Sequence, residues 1–497
     1  MQQLSGLDAA FLALEGPSMF GHVGSLCIID PSTAKEPVTL ERLTREVAAR
    51  LHLVPPFHRR LVQVPLGLDQ PYWIDDPDFD IEFHVRALAL PAPGSDRQLA
   101  DQAARLHARP LDRQRPLWEL YLISGLSGGR MAIYTKVHHA AIDGVSGSDI
   151  LGTLLDLTPE GRELEPAEWP SEQEPSAVSL LARSALSLGF QPVRAARLSL
   201  ELLRSAPGLV RTTRRPRLPF IDRDRGALLQ RPSLRAPKTP FNAPITPHRR
   251  FAFRALPLSQ IKAVKNAVGL TVNDVVMALA TGALRRWLED HNALPDSPLV
   301  AAVPISVRTK DEAGSAGNRI SGMMAPLPTQ LSDPMQRLRV VHEGMRAAKE
   351  QHGALPADLL SDVTQFAIPA LAGQAARLNE RLRLLERANP FNLFVSNVPG
   401  PNVPLYFAGG ELLAYYPLSA IADGQGLNIT VISYRDSMFF GLIACRELVP
   451  DLDTMADYLE QELDTLLAAV ATDPDLAAGP AVVASPKLKE TARHEHR

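Results

Sequence analysis

Two early stretches of apolar-rich residues, 23–30 (VGSLCIID) and 131–138 (MAIYTKVH), predict strands. In the second, Met131, Ile133, Thr135 and Val137 alternate with Ala132, Tyr134, Lys136 and His138, the period-two pattern of a strand. Residues 39–51 (TLERLTREVAARL) and 97–108 (RQLADQAARLHA) instead space their apolar residues for amphipathic helices. VSGSDILGTLLDL (145–157) predicts another helix, with Val145, Ile150, Leu151, Leu154 and Leu155 along one broad face. Ordered patterning resumes near residue 249. RRFAFRALPL predicts a strand, SQIKAVKNAVG and TVNDVVMALATGALRRWLED two helices, and LVAAVPISVR (299–308) a buried strand. NLFVSNVPGP (392–401) and LNITVISYRDSMFFGLIA (427–444) predict further strands, the last a hairpin turning at Arg435-Asp436-Ser437. Strands and helices mixed throughout argue an α/β or α+β class.

A chain of 497 residues is too long for one ordinary core, so two domains or more are expected. The composition shifts near residue 159, where TPEGRELEPAEWPSEQEPS reads as an exposed acidic linker. Residues 176–220 follow, carrying Arg183, Arg194, Arg197, Arg204, Arg211, Arg214, Arg215 and Arg217 against the single acid Glu201. Such a basic amphipathic segment can lie in a membrane interface, dock a partner, or pack between two domains. The expected organisation is an N-terminal domain over 1–158, a linker and basic connector over 159–248, a C-terminal domain over 249–484, and a disordered tail over 485–497.

Bulk chemistry narrows the partners. A net charge of −3 gives no general signal for nucleic acid. Cys27 and Cys445 fit neither a disulfide framework nor a zinc ribbon; buried thiols in a reducing cytosol are expected. The opening MQQLSGLDAAFLALEG lacks a basic n-region and carries Asp8 and Glu15, unlike a signal peptide. No apolar run reaches the ~20 residues that span a bilayer. The expectation is a soluble protein, or one that sits on a membrane without crossing it.

The candidate chemistry lies in YTKVHHAAIDGVS (134–146), where a histidine pair ends a strand and an acid follows. The motif admits three chemistries. A metal site would use His138, His139 and Asp143, but neighbouring strand residues point to opposite faces, so no metal is expected. A serine nucleophile would use Ser127 in Gly125-Leu-Ser127-Gly-Gly129. That match lies between two strand-like runs, whereas a nucleophile elbow joins a strand to a helix. The third reading is a lone histidine base, whose neutral imidazole takes a proton from a hydroxyl while an activated acyl donor is held beside it. Asp143 would then orient the ring or the backbone, and Gly144 would allow a tight turn. The plain alternative is a pair of satisfied core or turn histidines.

HHAAIDG (138–144) resembles the HHxxxDG motif of the CoA-dependent acyltransferase superfamily, which includes chloramphenicol acetyltransferases and peptide-synthetase condensation domains. More narrowly, the chain resembles the bacterial wax ester synthase/diacylglycerol acyltransferase family. The supporting blocks are LSGLDAAFLALEGPSMFGHVGSL (4–26), RPLWELYLISGL (115–126), TVNDVVMALATGALRRWL (271–288), VPISVR (303–308), GNRISGMMAPLPT (317–329), NLFVSNVPGP (392–401) and ADGQGLNITVISY (422–434). The resemblance implies two chloramphenicol-acetyltransferase-like domains, each a mixed sheet flanked by helices, with a tunnel and the active site at their interface. It implies His139 as the catalytic base, a structural His138, and an Asp143 salt bridge for which Arg308 is the candidate partner. Asn273 and Asn397 lie in family-like blocks as candidates for shaping the site, although Asn273 could cap a helix starting at Asp274 and Asn397 could organise a turn before Pro399-Gly400.

The implied substrates are long-chain acyl-CoA and either diacylglycerol or a long-chain alcohol, with acyl-CoA a substrate and no cofactor expected. The implied location is the cytoplasm, with a peripheral position at the inner membrane face or on lipid droplets left open. The alternatives are a condensation-like acyltransferase that takes its acyl group from a carrier protein to esterify a polyketide or glycolipid, and a non-catalytic lipid-surface binding protein.

Overall fold

The structure, a computed structural model, describes residues 1–142, 152–162, 164, 172–186, 236–306, 320–352 and 389–472. Its strands in chain order are β1 (Gln2–Gln3), β2 (His22–Asp30), β3 (Arg59–Val62), β4 (Tyr72–Asp75), β5 (Val85–Ala89), β6 (Trp118–Ser124), β7 (Met131–His138), β8 (Arg249–Pro257), β9 (Leu299–Ser306), β10 (Ile320–Leu327), β11 (Leu393–Val398), β12 (Tyr406–Phe407), β13 (Gly410–Leu418), β14 (Leu427–Tyr434) and β15 (Ser437–Cys445).

Local chemistry explains where the predicted helices begin. Thr39 caps the Leu40–Arg50 helix by accepting from the Arg42 amide. Ser95 and Gln98 form a capping box on Asp96–His107. Thr271 and Asp274 do the same for Val272–Asp290, so Thr271 and not Asn273 is the cap, and the helix starts two residues earlier than expected. Gly269, at φ 69°, ends the Leu258–Val268 helix and lets the chain bend by 105° into the next one. Most of the helix expected over 145–157 lies outside the described residues, as does the tail 485–497.

The strands form two six-stranded mixed sheets and one small sheet, ordered β1-β4-β3. The first large sheet runs β12-β13-β2-β7-β6-β5, and the second runs β10-β9-β11-β14-β15-β8. The division of the sheets does not coincide with a division of the chain at residue 249. Strand β13 comes from the second half yet pairs antiparallel with β2, from Glu411 opposite Asp30 to Leu418 opposite Gly24. The reason lies in edges: β13 covers the open side of β2 that would otherwise present unpaired backbone groups. Nor is 159–248 a uniform connector. A helix at Ala177–Leu186 buries Leu180 against Val62, Val64, Tyr72 and Ile74, and Phe241 is fully buried in the second core.

The two sheets meet through β13 and β15. A side chain at Gly441 would place its Cβ 1.8 Å from the Pro417 carbonyl oxygen, so only glycine permits this approach. Beside it, Tyr416 packs against Phe253 at 4.3 Å and Phe439 at 5.3 Å between ring centroids. The predicted hairpin is present, with β14 and β15 joined through Arg435-Asp436 and Arg435 in the left-handed region at φ 50°. Ser127 lies in the turn between antiparallel β6 and β7, which is a hairpin and not a strand-to-helix elbow.

Candidate active site

Strand β7 is central, between β2 and β6, and covered on both faces. Its alternation therefore does not mark a solvent face. Tyr134, Lys136 and His138 share one side, and each is buried with polar partners. The Tyr134 hydroxyl meets His107 Nδ1 at 2.9 Å. Lys136 Nζ donates to the carbonyls of Leu106 and Arg109 at 3.2 and 3.1 Å and lies 2.9 Å from Glu119. Burial holds the Lys136 pKa below its ordinary value. His22, opposite His138 in the register, approaches the His107 carbonyl at 2.7 Å. Burial first, then nearby cationic groups, push His22 well below the usual histidine range and His107 down to about 3. This column is a set of buried polar groups, with His22 and His107 neutral near pH 7.

The histidine pair divides its work at the strand end. His138 is the last residue of β7 and is 1% exposed. Its Nδ1 accepts from the Ala140 amide at 3.0 Å, so the ring proton sits on Nε2, which donates to Glu15 Oε1 at 3.0 Å. Both ring nitrogens of His138 are thus committed. His139 opens the short helical turn His139–Ile142 and is only half-buried. Its amide donates to the Gly21 carbonyl at 2.8 Å, and its ring stacks on Phe11 with centroids 4.2 Å apart. Phe11 belongs to the Gly6–Leu14 helix, capped by Ser5, and Glu15 is the residue that ends it.

Glu15 is the site residue that sequence reasoning missed. Besides His138, its carboxylate accepts from the Gly21 amide at 2.8 Å and from Arg113 at 2.6 and 3.2 Å. Burial pushes this carboxyl up, but the bonds from His138, Arg113 and the Gly21 amide outweigh it and bring the pKa down to about 2. No local signal marks it: its partners Gly21, Arg113 and His138 come together only in the fold.

That pKa sets a pH dependence. The folded value lies below the ordinary 4.5, so the stabilisation is complete above about pH 4.5 and is lost as pH falls towards 2. Urea unfolding at pH 5 and pH 3 should show a larger drop for the parent than for Glu15→Gln. Equal drops would contradict this assignment.

Asn273 and Asn397 do meet: Asn397 Nδ2 donates to Asn273 Oδ1 at 3.1 Å, which ties β11 to the Val272–Asp290 helix. Asn397 therefore sits in a strand and does not organise the following turn. Asp274 Oδ2 also lies 3.0 Å from His342 Nδ1. Asp143, Gly144 and Arg308 lie outside the described residues. Among the described residues, no group of three or more His, Cys, Asp or Glu could hold a metal ion.

Two mixed sheets, one of them completed by a strand from the second half of the chain, with the histidine pair at the end of a central strand, define a mixed α/β fold of the chloramphenicol acetyltransferase and condensation-domain type. The chain belongs to the wax ester synthase/diacylglycerol acyltransferase family, whose catalytic domain matches residues 4–276 and whose C-terminal domain matches residues 316–467. A Mycobacterium tuberculosis protein named as a diacylglycerol O-acyltransferase is 37% identical over 478 residues, covering 96% of this chain and 92% of its own. The O-acyltransferase WSD of Acinetobacter baylyi is 32% identical over 484 residues, covering 96% and 99%. The solved wax ester synthase/diacylglycerol acyltransferase of Marinobacter aquaeolei VT8 superposes with a TM-score of 0.67 at 32% identity, covering 95% of this chain and 100% of that one. The first condensation domain of the calcium-dependent antibiotic synthetase shares the fold alone, at a TM-score of 0.54 and 16% identity.

Proposed function

We propose that this protein transfers a long-chain acyl group from acyl-CoA to the hydroxyl of diacylglycerol, a long-chain alcohol, or both. The observation that carries the reading is the split within the histidine pair. His138 spends both ring nitrogens on Glu15 and Ala140, so the role of base falls to the half-buried His139.

In this mechanism a His139 ring nitrogen takes the hydroxyl proton as the alcohol oxygen attacks the thioester carbonyl. A new C–O bond forms and a tetrahedral oxyanion develops. Its collapse breaks the C–S bond, and the CoA thiolate leaves, taking the proton back from the imidazolium. No acyl-enzyme intermediate is needed. The thioester arrives activated, so no cofactor enters the step. Much of the acceleration comes from holding two large substrates together.

The test is thiol release from palmitoyl-CoA by the purified protein with dioleoylglycerol or hexadecanol, with lipid products separated. Acceptor-dependent release with a matching ester supports the reading, and the product names the acceptor. Absence of release with both alcohols rejects it and favours a carrier-protein donor.

Both substrates partition into lipid, and the reading places the working enzyme at a lipid surface on the cytoplasmic side, the inner membrane face or a lipid droplet. The Ala177–Leu186 helix supports this. Its outer side leaves Val178 76%, Leu181 37% and Leu186 67% exposed, and Arg183 is its one charged residue. Leu66, in a turn after the strand this helix covers, is 81% exposed. Among the described residues no single helix is long and apolar enough to cross a membrane. Replacing Val178, Leu181 and Leu186 together with aspartate should weaken co-sedimentation with anionic phospholipid vesicles by about tenfold or more. Unchanged co-sedimentation would remove this helix from the contact.

A further inference from the structure

We propose that Glu15 is a positioning residue for the His139 base, holding the backbone on both sides of that residue through His138 and Gly21. The inference rests on the reading of His139 as the base.

Glu15 Oε1 stands at a branch point. Along one arm it accepts from His138 Nε2, and His138 Nδ1 in turn accepts from the Ala140 amide. Along the other arm it accepts from the Gly21 amide, and the Gly21 carbonyl accepts from the His139 amide. The two arms close on residues 138, 139 and 140 from either side. One carboxylate oxygen therefore determines where the His139 Cα stands and in which direction its side chain leaves.

The other carboxylate oxygen anchors the clamp. Arg113 reaches Glu15 Oε2 with both Nη2 and Nε, and its Nη2 also donates to the Leu12 carbonyl at 2.6 Å. The end of the first helix is thereby tied to the loop that leads into β6. The same helix supplies Phe11, whose ring lies against that of His139. Gly21 has to be glycine for the clamp to close, because a Cβ there would lie 2.9 Å from His138 Nε2. A carboxylate that served only to stabilise the helix end would not need to join both neighbours of a single side chain.

A base held within a few tenths of an ångström of its reactive geometry contributes to turnover, not to substrate affinity. The experiment compares kcat and KM for palmitoyl-CoA in the parent, Glu15→Ala, Glu15→Asp, Glu15→Gln and His139→Ala, with circular dichroism and thermal unfolding of each. Glu15→Ala should lower kcat about 50-fold and leave KM within about twofold. Glu15→Asp keeps the charge but withdraws the branch-point oxygen by one methylene, and should lower kcat about tenfold while folded. Glu15→Gln keeps an oxygen for both arms and should recover kcat to within about fivefold of the parent.

The proposal is overturned if folded Glu15→Asp keeps the parent's kcat, if KM carries the loss, or if Glu15→Gln is as slow as Glu15→Ala. It is also overturned if the loss in each variant matches its unfolded fraction. A different outcome, parental turnover in His139→Ala, would reject the base reading itself.

Discussion

His139→Ala should lower acceptor-dependent thiol release from palmitoyl-CoA by about 10²- to 10⁴-fold, the range a general base contributes. The loss should fall on kcat. Stability should change little, because His139 is half-buried and its backbone bond to Gly21 survives the substitution. The stack on Phe11 is removed, at about 0.5–1.5 kcal/mol for a ring pair. His138→Ala should behave differently. It strips a buried ring that bonds Glu15 and the Ala140 amide, so melting temperature and turnover should fall together. Equal activity of His139→Ala and the parent would mean that the proton leaves by another route.

Glu119→Leu should cost about 3–5 kcal/mol of stability, the penalty for leaving a buried charge without its partner. Lys136 is 0% exposed and its ammonium lies 2.9 Å from Glu119. The two carbonyls it also reaches supply hydrogen bonds but no compensating charge. Glu119→Gln keeps an acceptor and should lose less. The double variant Glu119→Leu/Lys136→Met removes both charges and should lie closer to the parent than Glu119→Leu alone. Urea unfolding of the parent, Glu119→Leu, Lys136→Met and the double variant checks this cycle, with Glu119→Gln measured beside them. A double variant less stable than Glu119→Leu would show that the pair is more than charge balance. The position matters for function because Lys136 is two residues from His138 on the same side of β7.

The two expectations have one source in the fold. Strand β7 runs through the middle of the first sheet and delivers the histidine pair at its end, so whatever disturbs β7 reaches the site. The clamp at Glu15 acts at that end, and the Lys136–Glu119 pair acts inside the strand.

Much of this was legible in the residues. Short apolar-rich runs and the alternation in β7 located β2, β7, β8, β9 and the β14–β15 hairpin to within a residue or two. Helical spacing located the Leu40–Arg50 and Asp96–His107 helices, whereas their caps at Thr39 and Ser95, and Thr271 in place of Asn273, are set by the folded chain. HHAAIDG was visible as a strand end running into a turn, and the ordered blocks were enough to name the family.

What the tertiary structure alone decided is non-local. Glu15 and His138 are 123 positions apart, and nothing in either segment encodes the other. Strand β13 pairs with β2 across the whole chain, because an open strand edge accepts any strand the fold brings to it and leaves no mark in its own pattern. The burial of Lys136 is not written in its alternation, which cannot tell water from a second layer of buried polar groups. Asn273 looked like a cap and Asn397 like a turn residue, until the packing of a helix on β11 turned them towards each other. A sequence by itself specifies which side of each element seeks cover. Which element provides that cover is settled only when all the faces compete for one another.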